Sequence, residues 1–155
     1  MDYSFDPARV DRDQVFAWLR ETYWSPNLRR DVFEIGFANS VIIGAYDGDR
    51  IVGFARVISD KATFAWLSDV YVDASYRGRG IGREMVRQLM ALPDFKTLRR
   101  WCLATLDAQG VYKALGYQDV DPGRFLIFRN PVEVWQDLSD PEAISPGNLP
   151  GPQSV

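Results

Sequence analysis

The sequence contains no histidine and a single cysteine, Cys102, among its 155 residues. One thiol cannot form an internal disulfide, which fits a reducing compartment. The absence of imidazole removes the commonest general base and the commonest transition-metal ligand, so we expect no metal site. Chemistry that depends on an imidazole is therefore excluded.

The sequence also lacks a basic excess and long hydrophobic runs. Its 18 Lys and Arg residues face 21 Asp and Glu residues, whereas a nucleic-acid binder usually carries a basic footprint. The first ten residues are acidic, are broken by Pro7, and lack the basic flank and apolar stretch of a secretory signal. The longest apolar runs, such as Val41–Ile43, fall far short of a membrane span. We expect a soluble, cytoplasmic chain with neither a nucleic-acid nor a membrane partner.

Length and composition fit one globular domain. The hydrophobic share is 46% and the charged share 25%, and the chain is long enough to bury a core. From Pro131 onward, which contains five of the nine prolines, apolar periodicity fades. We therefore expect a domain over 1–130 and an irregular Pro/Gly-rich extension over 131–155. The side chains that could anchor part of this extension are Val132, Val134, Trp135 and Leu138.

Apolar periodicity in the first half of the chain predicts two helices and three strands. The predicted helices span 11–23 and 28–37, and the predicted strands span 41–46, 51–58 and 63–73. Asp47-Gly48 between the first two strands is typical of a hairpin turn. Unless a bulge shifts the count, one face of the third strand consists of Phe64, Trp66, Ser68, Val70 and Val72.

In the second half, helices alternate with strands. The pattern predicts a helix over 80–92, a strand over 100–105, a helix over 107–115 and a strand over 124–129. The resulting order is ααβββαβαβ, which indicates an α/β or α+β fold. The early hairpins indicate a mixed central sheet flanked by helices.

A glycine-rich segment, Arg77–Arg83, connects the third strand to the following helix. Glycine allows the backbone to approach a ligand closely, and the first turn of a helix offers free N–H groups and a positive dipole end. Three arginines add positive charge, so the segment suits a phosphate group. The simpler interpretation is a turn whose arginines are merely solvated.

The spacing of the glycines in this segment distinguishes between the known types of phosphate-binding loop. A Rossmann fingerprint counted from Gly78 fails at Arg83, and the Gly-Lys-Ser/Thr of a Walker A loop is absent. The spacing Arg-x-x-Gly-x-Gly fits at Arg77, Gly80 and Gly82. It resembles the coenzyme A motif of the GNAT superfamily of N-acetyltransferases.

A second segment, Asp107–Tyr117, resembles the GNAT helix that carries a tyrosine followed by a Gly-aromatic pair. Tyr112 stands where the family has its general acid, and the whole resemblance covers about residues 10–130. Tyr23-Trp24 resembles a short single-domain bacterial branch. That branch is associated with a histidine where this chain has Gln109, so any imidazole role there is excluded.

The resemblance implies a GNAT-like fold and transfer of an acetyl group from acetyl-CoA to an amine by direct attack. Backbone N–H groups of the third strand would polarise the thioester carbonyl and pair with the pantetheine arm. The residues implied in binding coenzyme A are Val70, Tyr71, Val72, Arg77, Gly78, Arg79, Gly80, Ile81, Gly82 and Arg83.

The same resemblance makes Tyr112 the acid that protonates the leaving thiolate, since a phenol stays protonated at neutral pH. The alternative is a tyrosine that only packs on the sheet. Cys102 is expected to be a buried strand thiol because no histidine activates it. The proton acceptor stays open: Asp69 is either a catalytic base or an ion-pair partner of Arg56. The other options are Glu34, Asp107 and water.

The loop between the first two helices lines the acceptor cleft in the family. Tyr23, Trp24 and Phe33 would form an aromatic wall for an amine, and Arg29 would read a carboxylate together with Arg30. The alternative for the two arginines is a solvated helix face.

Several functions remain open at this point. The first is acetylation of a small-molecule amine, and the second is non-catalytic binding or sensing of acyl-CoA, for which Tyr112 would be unnecessary. A protein N-terminal or lysine acetyltransferase and a protein-interaction domain are further alternatives. Sequence does not fix the acceptor, the acyl chain or the oligomeric state, with a homodimer among the options.

Overall fold

The computed structural model describes residues 1–139, which form five strands and four α-helices. The strands are β1 (Asp2–Ser4), β2 (Val41–Asp47), β3 (Arg50–Ser59), β4 (Phe64–Val72) and β5 (Arg100–Cys102). The helices are α1 (Arg12–Arg20), α2 (Arg30–Ala38), α3 (Ile81–Met90) and α4 (Gln109–Lys113). Within these residues, no helix is long and apolar enough to cross a bilayer.

The strands form one sheet in the order β1-β2-β3-β4-β5. Neighbouring strands are antiparallel except for β4 and β5, which are parallel. Parallel neighbours require a crossover connection, and α3 supplies it. The predicted mixed sheet flanked by helices is confirmed.

Helices cover both faces of this sheet. On one face, α3 buries Ile81, Met85, Val86 and Leu89 against β2, β3 and β4. On the other face, α1 and α2 bury Val15, Leu19, Phe33 and Phe37. Burial of each such side chain contributes about 1.5–3 kcal/mol to the stability of the fold. The two hydrophobic cores therefore stabilise the sheet from both faces.

At the ends of the domain, the structure contains one strand that the sequence did not predict and lacks one that it did. The N-terminus contains β1, which pairs Asp2 with Tyr46 and Ser4 with Gly44, although the sequence there was too short and polar to indicate a strand. The strand predicted over 124–129 is absent. Phe125–Phe128 has an apolar pattern typical of a strand, but Leu126 is 97% exposed and no strand pairs with this segment within residues 1–139.

A β-bulge interrupts β4 at Asp69, which has a φ of 52°. Arg56 pairs with Ser68 and Phe54 pairs with Tyr71, so two β4 residues lie opposite Ala55. The bulge reverses the alternation of faces. Buried Ala65 and Leu67 are therefore followed by buried Val70 and Val72, and the predicted common face of Phe64 to Val72 is wrong.

The segment after α4 returns to the first half of the chain. Gln136 forms an antiparallel bridge with Leu28, and the Arg29 N–H donates to the Trp135 carbonyl at 3.0 Å. The predicted anchors Val132, Val134 and Leu138 are 41%, 53% and 57% exposed, so the backbone and Trp135 make the attachment. The rest of the predicted 131–155 extension, from residue 140, lies outside the described residues.

Gly44 in β2 should be intolerant of any side chain. A Cβ atom there would lie 2.5 Å from the Tyr46 hydroxyl, and Tyr46 is only 1% exposed and cannot move away. We predict that Gly44→Ala lowers the free energy of unfolding in urea by about 1–3 kcal/mol through overpacking. Gly110→Ala is the control, since a Cβ there meets nothing within 4 Å. Equal stability of the two variants would contradict the packing described for β2.

Candidate active site

The candidate site lies where β4 and β5 separate. The two strands pair over Phe64–Trp66 and Arg100–Cys102. Beyond this point a cavity of about 260 Å³, here called the inter-strand cavity, lies between residues 66–70 and residues 103–105. Its remaining walls consist of Tyr23, Trp24, Ser25, Arg56, Asp107 and Tyr112.

Tyr112 is the buried tyrosine of this cavity. It lies on α4 with 6% of its surface exposed, and its ring packs edge-on against Tyr117 at 5.8 Å between centroids. Burial raises the pKa of the Tyr112 phenol above its ordinary value of 10, and the nearby Tyr23 and Asp107 raise it further. The phenol is therefore fully protonated at neutral pH and suited to donate a proton.

The three carboxylates considered as bases have different surroundings. Asp69 forms a close ion pair with Arg56, with the two side chains 7% and 20% exposed, and Arg56 also donates to Ser40 Oγ at 3.0 Å. The ion-pair interpretation of Asp69 is thus the arrangement present. Glu34 is paired with Arg12 and Arg30 and does not line the cavity.

Asp107 is the carboxylate with an unused oxygen. Its Oδ1 atom is 3.4 Å from the Thr105 hydroxyl, whereas its Oδ2 atom is buried and has no hydrogen-bond partner within residues 1–139. A buried acceptor without a donor is costly, and such groups are found where a ligand or water completes them. Asp107 is therefore the stronger candidate for contact with a substrate.

The glycine-rich segment lies at the other end of β4, where it opens α3. Gly78 and Gly80 have φ values of 74° and 76°, a region that favours glycine, and a Cβ atom at Gly78 would point into open space. Gly80 is the N-cap of α3, so the N–H groups of the first turn are free of intrahelical acceptors. This arrangement suits a phosphate or pyrophosphate group.

The arginines of the segment are held in two ways. Arg77 donates to the Val72 carbonyl at 3.0 Å and lies over the Tyr71 ring at 5.5 Å. Arg79 donates to the Ser75 carbonyl at 3.1 Å and lies over the Tyr76 ring at 4.9 Å. These contacts hold both guanidinium groups against the segment that leads from β4 to α3.

The end of β4 connects the cavity to the glycine-rich segment. Val70 and Val72 direct their side chains into the core, with 8% and 2% exposed, and Tyr71 stacks on Trp18 at 4.9 Å. Burial of the Val70 and Val72 side chains leaves mainly the backbone of these two residues available to a ligand. The three residues predicted to bind coenzyme A through their backbone lie between the two halves of the candidate site.

Two of the four predicted acceptor residues line the cavity. The Tyr23 hydroxyl accepts a hydrogen bond from the Leu106 N–H at 3.1 Å, and Trp24 packs edge-on against Tyr23. Phe33 does not line it, because its ring packs in the core between Phe16 and Phe37. Arg29 also lies elsewhere and is paired with Asp31 at the surface.

Residues 103–105 form one wall of the inter-strand cavity, although the sequence predicts a continuous strand over 100–105. Pairing of β5 with β4 stops at Cys102, just before the β4 bulge, and a local sequence pattern does not indicate where such pairing ends. Trp66 also lines the cavity although the sequence indicates only a strand residue, and Arg56, expected as an ion-pair partner of Asp69, lines it as well.

Comparisons with known proteins agree with this geometry. A sequence model of the acetyltransferase (GNAT) domain matches residues 38–119, from the last residue of α2 to beyond α4. A Gibberella zeae protein described as an acetyltransferase is 31% identical over 138 residues, covering 75% of this chain and 78% of that protein. Mouse thialysine N-epsilon-acetyltransferase is 30% identical over 105 residues, which are 62% of each chain.

The solved structures show the same similarity. A protein of Xanthomonas campestris pv. campestris assigned to the GNAT family superposes with a TM-score of 0.79 at 35% identity. The superposition covers 84% of this chain and 92% of that one. The similarity therefore extends over the sheet, the glycine-rich segment and α4 together.

The ion pair between Arg56 and Asp69 should stabilise the bulge beside the cavity. We predict that Asp69→Asn lowers the free energy of unfolding by about 1–3 kcal/mol, because Arg56 keeps its charge in a half-buried position without a partner. Asparagine tolerates the positive φ of this residue, so the substitution tests the charge alone. Asp31→Asn, which removes the exposed partner of Arg29, should leave urea unfolding unchanged. An equal effect of both substitutions would contradict this role.

Proposed function

The chain belongs to the GNAT family of acetyltransferases, and from this we propose that it transfers the acetyl group of acetyl-CoA to a primary amine of a small molecule. The observation that carries the proposal is the buried, protonated Tyr112 in the gap between β4 and β5. The backbone of β4 joins this gap to an anion site at the start of α3. The reaction is direct attack of the amine in a ternary complex.

Acetyl-CoA supplies an activated thioester, and the chain supplies the groups that bind and orient it. The N–H groups of Gly78–Arg83 and the arginines Arg77, Arg79 and Arg83 bind the pyrophosphate. The backbone of Val70, Tyr71 and Val72 pairs with the pantetheine amides as an added strand would. The open space at Gly78 and the separation of β5 from β4 support this path.

The bulge at Asp69 gives β4 a further role. A bulge leaves a backbone N–H unpaired and turns it out of the regular ladder. An N–H at this position, facing the inter-strand cavity, polarises the thioester carbonyl and stabilises the oxyanion as the amine attacks. The Arg56–Asp69 ion pair holds the bulge in the required conformation.

The reaction requires two proton transfers, which we assign to Tyr112 and Asp107. The attacking amine must lose a proton, and the departing thiolate must gain one. Tyr112 donates its phenolic proton to the thiolate sulfur, and Asp107 accepts the proton of the amine through its free Oδ2 atom. Asp69 is engaged by Arg56 and is assigned to positioning rather than to proton transfer.

The size of the cavity supports a small acceptor over a protein lysine or N-terminus. A volume of about 260 Å³ bounded by Tyr23 and Trp24 leaves room for an amine and a short chain. The mouse relative is named for acetylation of a side-chain amine of thialysine. A side-chain amine of a small molecule is accordingly the acceptor class we propose here.

We predict that Tyr112→Phe lowers kcat by about 10²–10⁴-fold, the span of a positioned general acid. The Kd for acetyl-CoA should stay within about twofold, because the hydroxyl acts mainly in the transition state. In the wild type, any loss of rate from ionisation of this phenol should occur above pH 10, since burial raises its pKa. The rates are measured by release of free CoA with a panel of amines.

Tyr117→Phe is the matched control for this experiment. Tyr117 packs against Tyr112, has a buried hydroxyl with no hydrogen-bond partner among residues 1–139, and does not line the inter-strand cavity. Its kcat should stay near the wild-type value. Wild-type kcat in a folded Tyr112→Phe variant would remove Tyr112 from the mechanism, and equal losses in both variants would indicate a packing effect.

A further inference from the structure

The segment that follows α4 builds a second cavity beside the proposed acceptor site. This outer cavity has a volume of about 500 Å³. It shares four lining residues with the inter-strand cavity, which are Tyr23, Trp24, Ala104 and Thr105. Its far wall consists of Arg129, Val132, Trp135 and Gln136.

Backbone hydrogen bonds attach this far wall to the loop between α1 and α2. The Arg29 N–H donates to the Trp135 carbonyl at 3.0 Å, and the Asp137 N–H donates to the Asn27 carbonyl at 2.7 Å. Gln136 is 8% exposed and forms the bridge with Leu28 between these two bonds. The wall is therefore built into the fold on the same loop that supplies Tyr23 and Trp24.

The two cavities carry opposite charge. The inter-strand cavity contains the paired Arg56 and Asp69 together with Asp107, which leaves one negative charge. Among the residues that line the outer cavity, Arg129 is the charged one, and it makes no ion pair within the described part of the chain. Tyr23, Trp24 and Trp135 provide flat apolar surface between these charges.

From this charge pattern we infer that the acceptor spans both cavities. Its amine lies in the inter-strand cavity, a flat apolar body lies on Trp24 and Trp135, and an anionic group at its far end pairs with Arg129. This inference rests on the proposed function and narrows the acceptor to an extended amine with a distal carboxylate or similar anion. The segment 129–136 is thereby a specificity element of the enzyme.

The test compares three probes that differ only at the far end: 4-(aminomethyl)benzoate, 4-(aminomethyl)benzamide and benzylamine. Each is titrated by calorimetry into the full chain saturated with CoA. The wild type should bind the benzoate about tenfold more tightly than the neutral benzamide, since the guanidinium pairs with a carboxylate. Arg129→Gln should abolish this preference and leave the affinity for benzylamine unchanged.

Arg124→Gln is the matched control. Arg124 also lies in the segment that follows α4, but it is paired with Asp121 and does not line the outer cavity. It should retain the tenfold preference. Equal affinity of the wild type for benzoate and benzamide, a preference that survives Arg129→Gln, or no binding of any probe would overturn the inference. Failure of CoA itself to bind would instead contradict the proposed function. In that case, the three probes are titrated into the protein without CoA, and the same preference for the benzoate and its loss in Arg129→Gln test the inference.

Discussion

The separation of β4 from β5 is the constraint on which the site depends. The strands pair at Phe64–Trp66 and Arg100–Cys102 and then diverge, so that within residues 1–139 the rest of this edge of β4 has no strand partner. Unpaired backbone groups in such a position are costly unless a ligand or water pairs with them. The bulge at Asp69 and the Arg56–Asp69 ion pair lie beside this gap, and a hydrophobic core covers each face of the sheet.

The proposed chemistry depends on the side chains around the gap between β4 and β5. With no imidazole in the chain, the mechanism we propose assigns proton transfer to a phenol and a carboxylate. Burial raises the pKa of Tyr112 and keeps it protonated, while Asp107 has a free oxygen in the same cavity wall. In the binding mode we infer, the opposite charges of the inter-strand and outer cavities orient the acceptor, and residues 129–136 take part in its recognition.

Sequence alone predicted the local parts of the site well. The glycine spacing at Arg77–Gly82 and the position of Tyr112 depend on short-range patterns, and the structure has them at a strand-to-helix turn and on a helix. Contacts between distant segments were harder to predict. Phe33 was assigned to the acceptor wall, but the helical pattern does not distinguish a core face from a cleft. The strand predicted over 124–129 failed because propensity cannot supply a pairing partner.

The most direct test of the account is amide hydrogen exchange with and without acetyl-CoA, because it requires no knowledge of the acceptor. Bound acetyl-CoA should slow exchange at residues 69–72, along the open edge of β4, and at 78–83, around the start of α3. The β2–β3 turn at 47–50 should be unaffected. Slower exchange only outside these two segments, or unchanged exchange in both of them at saturating acetyl-CoA, would contradict the proposed site in the gap between β4 and β5.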